Sequence, residues 1–389
     1  FIGKVVFNFF ATTNKGLEIL LAEELTTLGA KDVNTVTAGL EFRATLNDIV
    51  KMNLHTRLAS RIMIQLGHGP YSNNDDAEDI YGLACEINWS EWFHVGNTIK
   101  VSTNAIKSPL TSLEFVTLKV KDAICDYFNE RVDARPNVDK QNPDMRIYNF
   151  LTEDTVTIYL DTSGDTLFKR GYRKLKLEAP IKENLAFGLI KLSGWTPEQP
   201  FFDPMCGSGT IAVEAICYGL NIAPGLNRRF AFEQFIDFDT EYFDDLKEQA
   251  TAAIKKDQKL QVFASDISQK AIEIAKQNFA QIGLSEYVTF SSGNLVDISA
   301  PAENGIMVTN PPYGVRLEEL EQLAFLYPDI ASNLKKNFSG WNCYFLTADL
   351  RMPKLFRLKP TRKTPLFNGA LECRLFEFKM VSGSNRNKE

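Results

Sequence analysis

The sequence predicts an α/β protein: a doubly wound, mostly parallel sheet in the C-terminal half, preceded by smaller α/β units. Three observations predict it. At 389 residues the chain is too long for one ordinary core, so two or three domains are expected. From Pro200 onward, short apolar runs alternate regularly with amphipathic helical stretches, the pattern of strands joined by crossover helices. Ahead of that point the same element types come in shorter groups, separated by polar, turn-rich stretches.

Val5 to Ala11 reads as a short strand, and Leu17, Leu20, Leu21, Leu25 and Leu28 follow at helical spacing, closed by Gly29. Leu40 to Ala44 reads as a strand, Leu46 to Leu58 as a helix and Arg61 to Leu66 as a strand. Gly67 to Asp79 is polar and rich in turn residues, which predicts a boundary between a first subdomain, 1–68, and a second, 69–164. In the second, Thr98 to Ser102 is strand-like, and Val116, Val120, Ile124 and Phe128 mark one face of a helix. Val156 to Leu160 alternates up to a turn at Asp161-Thr162-Ser163-Gly164.

A basic linker, 165–179, leads to the third unit, 180–380, where Ala179-Pro180 opens a helix with Leu185, Leu189 and Leu192 on one face. Its candidate strands are Phe201 to Pro204, Val262 to Ser265, Val288 to Ser291, Gly305 to Thr309 and Cys343 to Thr347. Ile272, Ala275, Phe279 and Ile282 form an amphipathic helix behind Ser268 as N-cap. Asn221 to Leu260, rich in phenylalanine, reads as an inserted, partly helical element. Leu371 to Phe378 fits an antiparallel strand at the sheet's end, and 381–389 is polar and expected to be disordered.

Composition narrows the class. Hydrophobic residues make up 44% and charged residues 24%, ordinary for a globular chain. No apolar run approaches the roughly 18 residues of a membrane span, and Val5 to Ala11 lacks the flanks of a signal peptide. The six cysteines form no CxxC pair and only three histidines occur, which argues against a structural zinc site or a disulfide framework. The expectation is a cytoplasmic protein with reduced thiols, no metal and no membrane partner. A net charge of −6 argues against a uniformly basic nucleic-acid-binding surface. The basic residues are clustered, however: Lys169, Arg170, Arg173, Lys174 and Lys176 in one run, and Arg351, Lys354, Arg357, Lys359, Arg362 and Lys363 in another. Such runs are either solvated faces or local tracks for phosphate.

Three motifs carry chemistry. Asp203-Pro204-Met205-Cys206-Gly207-Ser208-Gly209-Thr210 lies between a predicted strand and a predicted helix. Its glycines allow a sharp turn and close approach of a ligand to a helix N-terminus. Ala212 occupies the third glycine position, and the leading Asp203 would repel a pyrophosphate while suiting a cationic group such as an ammonium. At the end of the next strand stands Asp266, followed by Ile267; an acid there either binds ribose hydroxyls or caps the following helix. The third motif, Asn310-Pro311-Pro312-Tyr313, follows an apolar strand. The prolines stiffen the backbone and remove two N–H donors, leaving the Asn310 amide oxygen and the Pro311 carbonyl as convergent acceptors for an –NH2 group. Tyr313 offers a ring for a planar base.

This order of motifs resembles the Rossmann-type amino-group methyltransferases. With Lys169-Arg170-Gly171-Tyr172-Arg173, Ala179 to Ala186, and the continuation Gly314-Val315-Arg316-Leu317, nearly the whole chain resembles the RlmL-like family (UPF0020 type). These are THUMP-containing guanine-N2 methyltransferases of 23S ribosomal RNA. The resemblance implies a ferredoxin-like subdomain, a THUMP RNA-binding domain and a Rossmann-like methyltransferase domain using S-adenosylmethionine. It implies a cofactor site from Asp203, Pro204, Cys206, Gly207, Gly209, Thr210, Asp266, Ile267 and Asn294, with Asn294 facing the adenine. It further implies catalysis by Asn310, Pro311, Pro312 and Tyr313. RNA contacts are expected from Lys169, Arg170, Arg173, Lys174, Lys176, Arg316, Arg362 and Lys363, the partner being 23S rRNA or a large-subunit assembly intermediate. Proteobacterial relatives carry a second methyltransferase in the same polypeptide, and that activity is expected to be absent here. The motifs leave open transfer RNA guanine, DNA adenine N6 and protein glutamine as acceptors.

Overall fold

The computed structural model describes residues 2–172, 174–177, 181–312 and 317–381. The chain forms two units: the first holds 1–13, 21–169 and 227–248, the second 14–20, 170–226 and 249–389.

The N-terminal elements are β1 (Val6–Thr12), α1 (Glu18–Thr27), β2 (Lys31–Val36), β3 (Gly39–Thr45), α2 (Leu46–His55) and β4 (Arg61–Pro70). There follow α3 (Glu78–Cys85), β5 (Ile99–Ala105), α4 (Leu113–Val132), β6 (Met145–Leu151) and β7 (Thr155–Asp161). All seven strands join one sheet in the order β2-β3-β1-β4-β7-β6-β5. Strand β4 pairs antiparallel with β1 on one side and β7 on the other. The boundary expected at residue 68 therefore falls inside β4, and the two expected subdomains share a sheet. Gly67-His68-Gly69-Pro70 shows no apolar alternation, yet its backbone continues the ladder to Thr155. A ladder needs backbone groups, not apolar side chains.

The first unit also takes in 227–248, which the sequence assigns to an insertion in the C-terminal half. Phe230, Phe232 and Phe243 are buried there, with the rings of Phe230 and Phe232 stacked 5.0 Å apart. The Arg228 guanidinium donates to the carbonyls of Ser163, Asp165, Thr166 and Lys169.

The remaining elements are α5 (Glu183–Ser193), β8 (Phe201–Asp203), α6 (Thr210–Gly219), α7 (Thr240–Ala252), β9 (Val262–Asp266), α8 (Gln269–Gln281) and β10 (Val288–Ser292). After them come β11 (Gly305–Thr309), α9 (Leu317–Asn337), β12 (Trp341–Thr347), α10 (Met352–Phe356), β13 (Arg362–Asn368) and β14 (Leu371–Lys379). The second sheet runs β10-β9-β8-β11-β12-β14-β13. Its first five strands are parallel, and β14 and β13 are antiparallel additions. Strand β14 does not end the sheet as expected. The edge is β13, built from the tail of the second basic run and joined to β14 by a tight turn at Gly369 (φ +63°). Pro365 is tolerated there because an edge strand has one unpaired side.

Strand order reverses between β8 and β11, the switch point at which open α/β sheets bind ligands beyond the strand ends. Below it, Phe202, Met307, Leu334, Phe338, Trp341, Phe345, Phe376 and Phe378 make the core that fixes these strands. Ser268 caps α8, accepting from the Ala271 N–H at 3.2 Å. Among the described residues no helix is long and apolar enough to cross a membrane, and no group of three or more potential metal ligands occurs. Position 381 is described and 382–389 of the expected tail lie outside the described residues.

Candidate active site

At the switch point the C-terminal ends of β8, β9 and β11 converge on one cleft of about 280 Å³. Its lining includes Asp203, Cys206, Gly207, Thr210, Asp266, Asn310 and Pro312, so the three sequence motifs meet in space.

The glycine loop makes the turn from β8 into α6. Gly207 and Gly209 hold φ of +52° and +90°. A Cβ on Gly209 would stand 2.9 Å from Phe279 Cε2, so the loop lies hard against α8 with no room for a side chain there. Asp266 braces the loop from the neighbouring strand: Oδ2 accepts the Gly207 N–H at 3.0 Å and Oδ1 the Ser268 N–H at 2.9 Å. Asp266 thus ties down the residue that caps α8, and it also lines the cleft.

Asp203 is 1% exposed and accepts from the Met205 N–H at 3.1 Å and the Thr309 hydroxyl at 2.7 Å. Burial pushes its carboxyl up to about 7, against the pull of these two donors, and the nearby Asp266 adds to the rise. Among the described residues no cation shifts this carboxyl, and a buried carboxylate of that kind suits a positively charged ligand group. Burial also drives the Cys206 thiol well above its ordinary range, which makes it an apolar wall of the cleft rather than a nucleophile.

Asn310 follows β11, and its Oδ1 is buried without a hydrogen-bond partner among the described residues. A lone buried acceptor is costly unless a ligand supplies the donor. Pro311 is buried and Pro312 lines the cleft. Tyr313 and Arg316 lie outside the described residues, as do Arg173, Gly314 and Val315.

Four expected cofactor residues stand outside the lining: Pro204, Gly209, Ile267 and Asn294. Pro204 and Gly209 are buried supports of the loop, and Ile267 is 69% exposed beside Asp266. The Asn294 amide oxygen accepts from the Val296 N–H at 3.2 Å, closing its own turn after β10. The lining also contains residues to which the sequence assigned no role of their own, among them Leu177, Ile181, Met205 and Ile211.

The basic runs need correction. Arg170 is buried, with Nε 3.1 Å from Glu214 Oε1, and the side chains of both are 3% exposed. It is a structural ion pair and cannot serve a phosphate. The Lys174 side chain is 5% exposed, 3.4 Å from Glu183 Oε1 and hydrogen-bonded to Thr210 Oγ1. Burial holds its ammonium below the usual lysine range, with Glu183 opposing. Arg351 is engaged by Asp349 and by Glu321 at 2.8 Å. Lys169, Lys176, Arg362 and Lys363 are exposed. Charge alone cannot tell a buried pair from a solvated face, because the carboxylate partner can be distant in sequence.

Comparison with known proteins identifies the family. The UPF0020 family (RMKL-like, methyltransferase domain) matches residues 170–377, a THUMP domain matches 74–161 and the RlmL ferredoxin-like domain matches 8–63. The ribosomal RNA large subunit methyltransferase K/L of Shewanella oneidensis is 37% identical over 385 residues, covering 97% of this chain and 54% of that protein. The chain thus spans about half the length of the curated relatives it matches. Among solved structures, SMU.472 complexed with S-adenosylhomocysteine (SAH) is 32% identical with a TM-score of 0.87, covering 97% of this chain and 99% of that one. A Listeria monocytogenes protein described as a predicted N6-adenine-specific DNA methylase has the same identity and TM-score, covering 97% of each chain. The chain belongs to the RlmL/RlmK-type UPF0020 methyltransferase family, with a Rossmann-like domain preceded by ferredoxin-like and THUMP regions.

Proposed function

We propose that this chain is an S-adenosylmethionine-dependent RNA methyltransferase that forms N2-methylguanosine in 23S ribosomal RNA, acting in the cytoplasm on the RNA or on a large-subunit assembly intermediate. The observation that carries the reading is the buried, unpartnered Asn310 Oδ1 on the same cleft as Asp203 and Asp266. The SAH bound to the relative SMU.472 supports the choice of cofactor, and the THUMP match and the name of the Shewanella relative support the choice of RNA.

The bound cofactor supplies an electrophilic methyl group on a sulfonium. Asp203 receives the ammonium of its amino-acid end, Asp266 the ribose hydroxyls, and exposed Ile267 offers an apolar face to the adenine. The target base is turned out of its stack, at a cost of about a few kcal/mol that is least in an irregular site. Asn310 Oδ1 and the Pro311 carbonyl accept the two hydrogens of the guanine amino group, which turns its lone pair toward the methyl. Tyr313 stacks on the base. The N–C bond forms as the S–C bond breaks, and the spare proton leaves to water. Lys169, Lys176, Arg362 and Lys363, with Arg173 and Arg316, contact phosphate.

The test is methyl transfer from labelled S-adenosylmethionine to RNA of a strain lacking the protein, followed by mass spectrometry of the nucleosides. N2-methylguanosine in 23S rRNA is the expected product. Product in transfer RNA alone moves the substrate there, and N6-methyladenine in DNA overturns the assignment.

A further inference from the structure

Asn278, on α8, plays no part in the reaction above, yet it is 2% exposed and fully committed in hydrogen bonding. Its Oδ1 accepts the Leu175 N–H at 2.7 Å, and its Nδ2 donates to the Leu175 carbonyl at 2.9 Å and the Ser208 carbonyl at 2.9 Å. An amide has one carbonyl and two N–H groups, so this side chain can sit in only one orientation. It grips the Leu175 backbone as a neighbouring strand would, and joins it to the backbone of the glycine loop.

Leu175 itself is 41% exposed, so packing of its side chain adds little to this grip. A second tie comes from the preceding residue, since Lys174 Nζ bonds Thr210 Oγ1 at the start of α6. Two residues further on, Leu177 lines the cleft and reaches to 3.8 Å from the place a Cβ on Gly207 would take. The segment 174–177, which the sequence presents as a basic track, is thereby tied through Asn278 to Ser208 and through Lys174 to Thr210, and Leu177 forms part of the wall of the site.

We propose that Asn278 is a positioning residue that latches the 174–177 segment onto the glycine loop, so that Leu177 closes the cofactor pocket and slows escape of the bound cofactor. The inference rests on reading the cleft as the S-adenosylmethionine site. It assigns Asn278 to cofactor retention and leaves methyl transfer to Asn310.

The experiment uses the full chain and measures SAH affinity by calorimetry alongside KM for S-adenosylmethionine and kcat. In Asn278→Asp a carboxylate replaces the donor that faces the carbonyls of Leu175 and Ser208, and the latch opens. The expected result is SAH binding and KM weakened about tenfold or more, with kcat at saturating cofactor within about threefold of the parent. Leu177→Ala, at a half-buried position with little bearing on folding, reproduces the affinity loss by removing the wall itself. Parent-like affinity in Leu177→Ala, or a loss of kcat with unchanged KM in a folded Asn278→Asp, overturns the latch. Failure of the parent protein to bind SAH at all overturns the cofactor reading instead, so the two failures are distinguishable.

Discussion

The Thr309 hydroxyl donates to Asp203 Oδ1 at 2.7 Å, and both side chains are buried. This bond ties the end of β8 to the end of β11, and so joins the carboxylate assigned to the cofactor to the residue next to Asn310. Hydrogen bonds to charged groups contribute about 1.5–3 kcal/mol. Thr309→Val removes the donor and favours the neutral acid further. The expected outcome is SAH binding about tenfold weaker at neutral pH, measured by calorimetry, with the affinity recovering at higher pH.

The pH dependence of the parent protein follows from the same carboxyl. Burial pushes Asp203 up to about 7, and a cationic ligand group binds only the carboxylate form. Cofactor affinity is expected to rise with pH through about 7 and then level off, and Asp203→Asn is expected to weaken binding and flatten the profile. Stability moves the other way. The folded pKa lies above the unfolded value, so the stability this group contributes is fully present below about 4 and is lost as pH rises through about 7. The cofactor offsets that loss, so its thermal-shift effect should be larger at pH 8 than at pH 6.

Asn310→Ala separates chemistry from binding. Its Oδ1 has no partner to lose, so folding and SAH affinity should stay within about twofold of the parent. Loss of a donor or acceptor aimed at the reacting group typically costs about 10²–10³ in kcat. Single-turnover methyl transfer with saturating cofactor checks this, and a variant with full activity would remove Asn310 from the mechanism.

Arg170 and the exposed cations should part company. Breaking a buried ion pair by removing one partner costs about 3–5 kcal/mol. Arg170→Met is therefore expected to lower the unfolding free energy by that order, and Arg170→Met with Glu214→Leu to regain much of it. In contrast, Lys176→Ala with Arg362→Ala and Lys363→Ala should leave denaturant midpoints nearly unchanged while weakening RNA binding and flattening its dependence on salt.

Gly209→Ala tests the loop. A residue there must hold φ +90°, with its Cβ 2.9 Å from a ring atom of the buried Phe279. Backbone strain of this type costs about 1–3 kcal/mol before the clash is added. The variant should unfold at lower denaturant concentration and lose measurable SAH binding.

Much of the fold was legible because its elements announce themselves through side-chain periodicity. The α8 helix repeats apolar residues behind the Ser268 cap, and β11 is buried throughout, with Ile306, Met307 and Val308 as a continuous apolar run, because both faces of a central parallel strand are covered. Strand β2 gave no such signal, being an edge strand exposed along most of its length. Strand β13 was hidden by Arg362 and Lys363 at its head, although Asn368-Gly369 marks a hairpin turn. Strand β6 shows no clean apolar and polar alternation in sequence, because Asn149 stands on its buried face while Tyr148 and Phe150 stand on the half-buried one.

The sequence by itself determined the chemistry on offer: a carboxylate and two glycines after one strand, an acid after the next, and an asparagine followed by two prolines after a third. Those groups lie on strand ends, and a parallel sheet delivers its strand ends to one side, so their meeting was implicit in the pattern. Only the tertiary structure decided which charges are available. Arg170 and Lys174 read as surface cations until Glu214, Glu183 and Thr210 come beside them. Likewise Asn278 is an unremarked helix residue in the sequence, and becomes the latch on the glycine loop because residues 103 positions away fold against it. Burial and pairing are properties of the folded chain, and they decided what each polar residue found in the sequence is free to do.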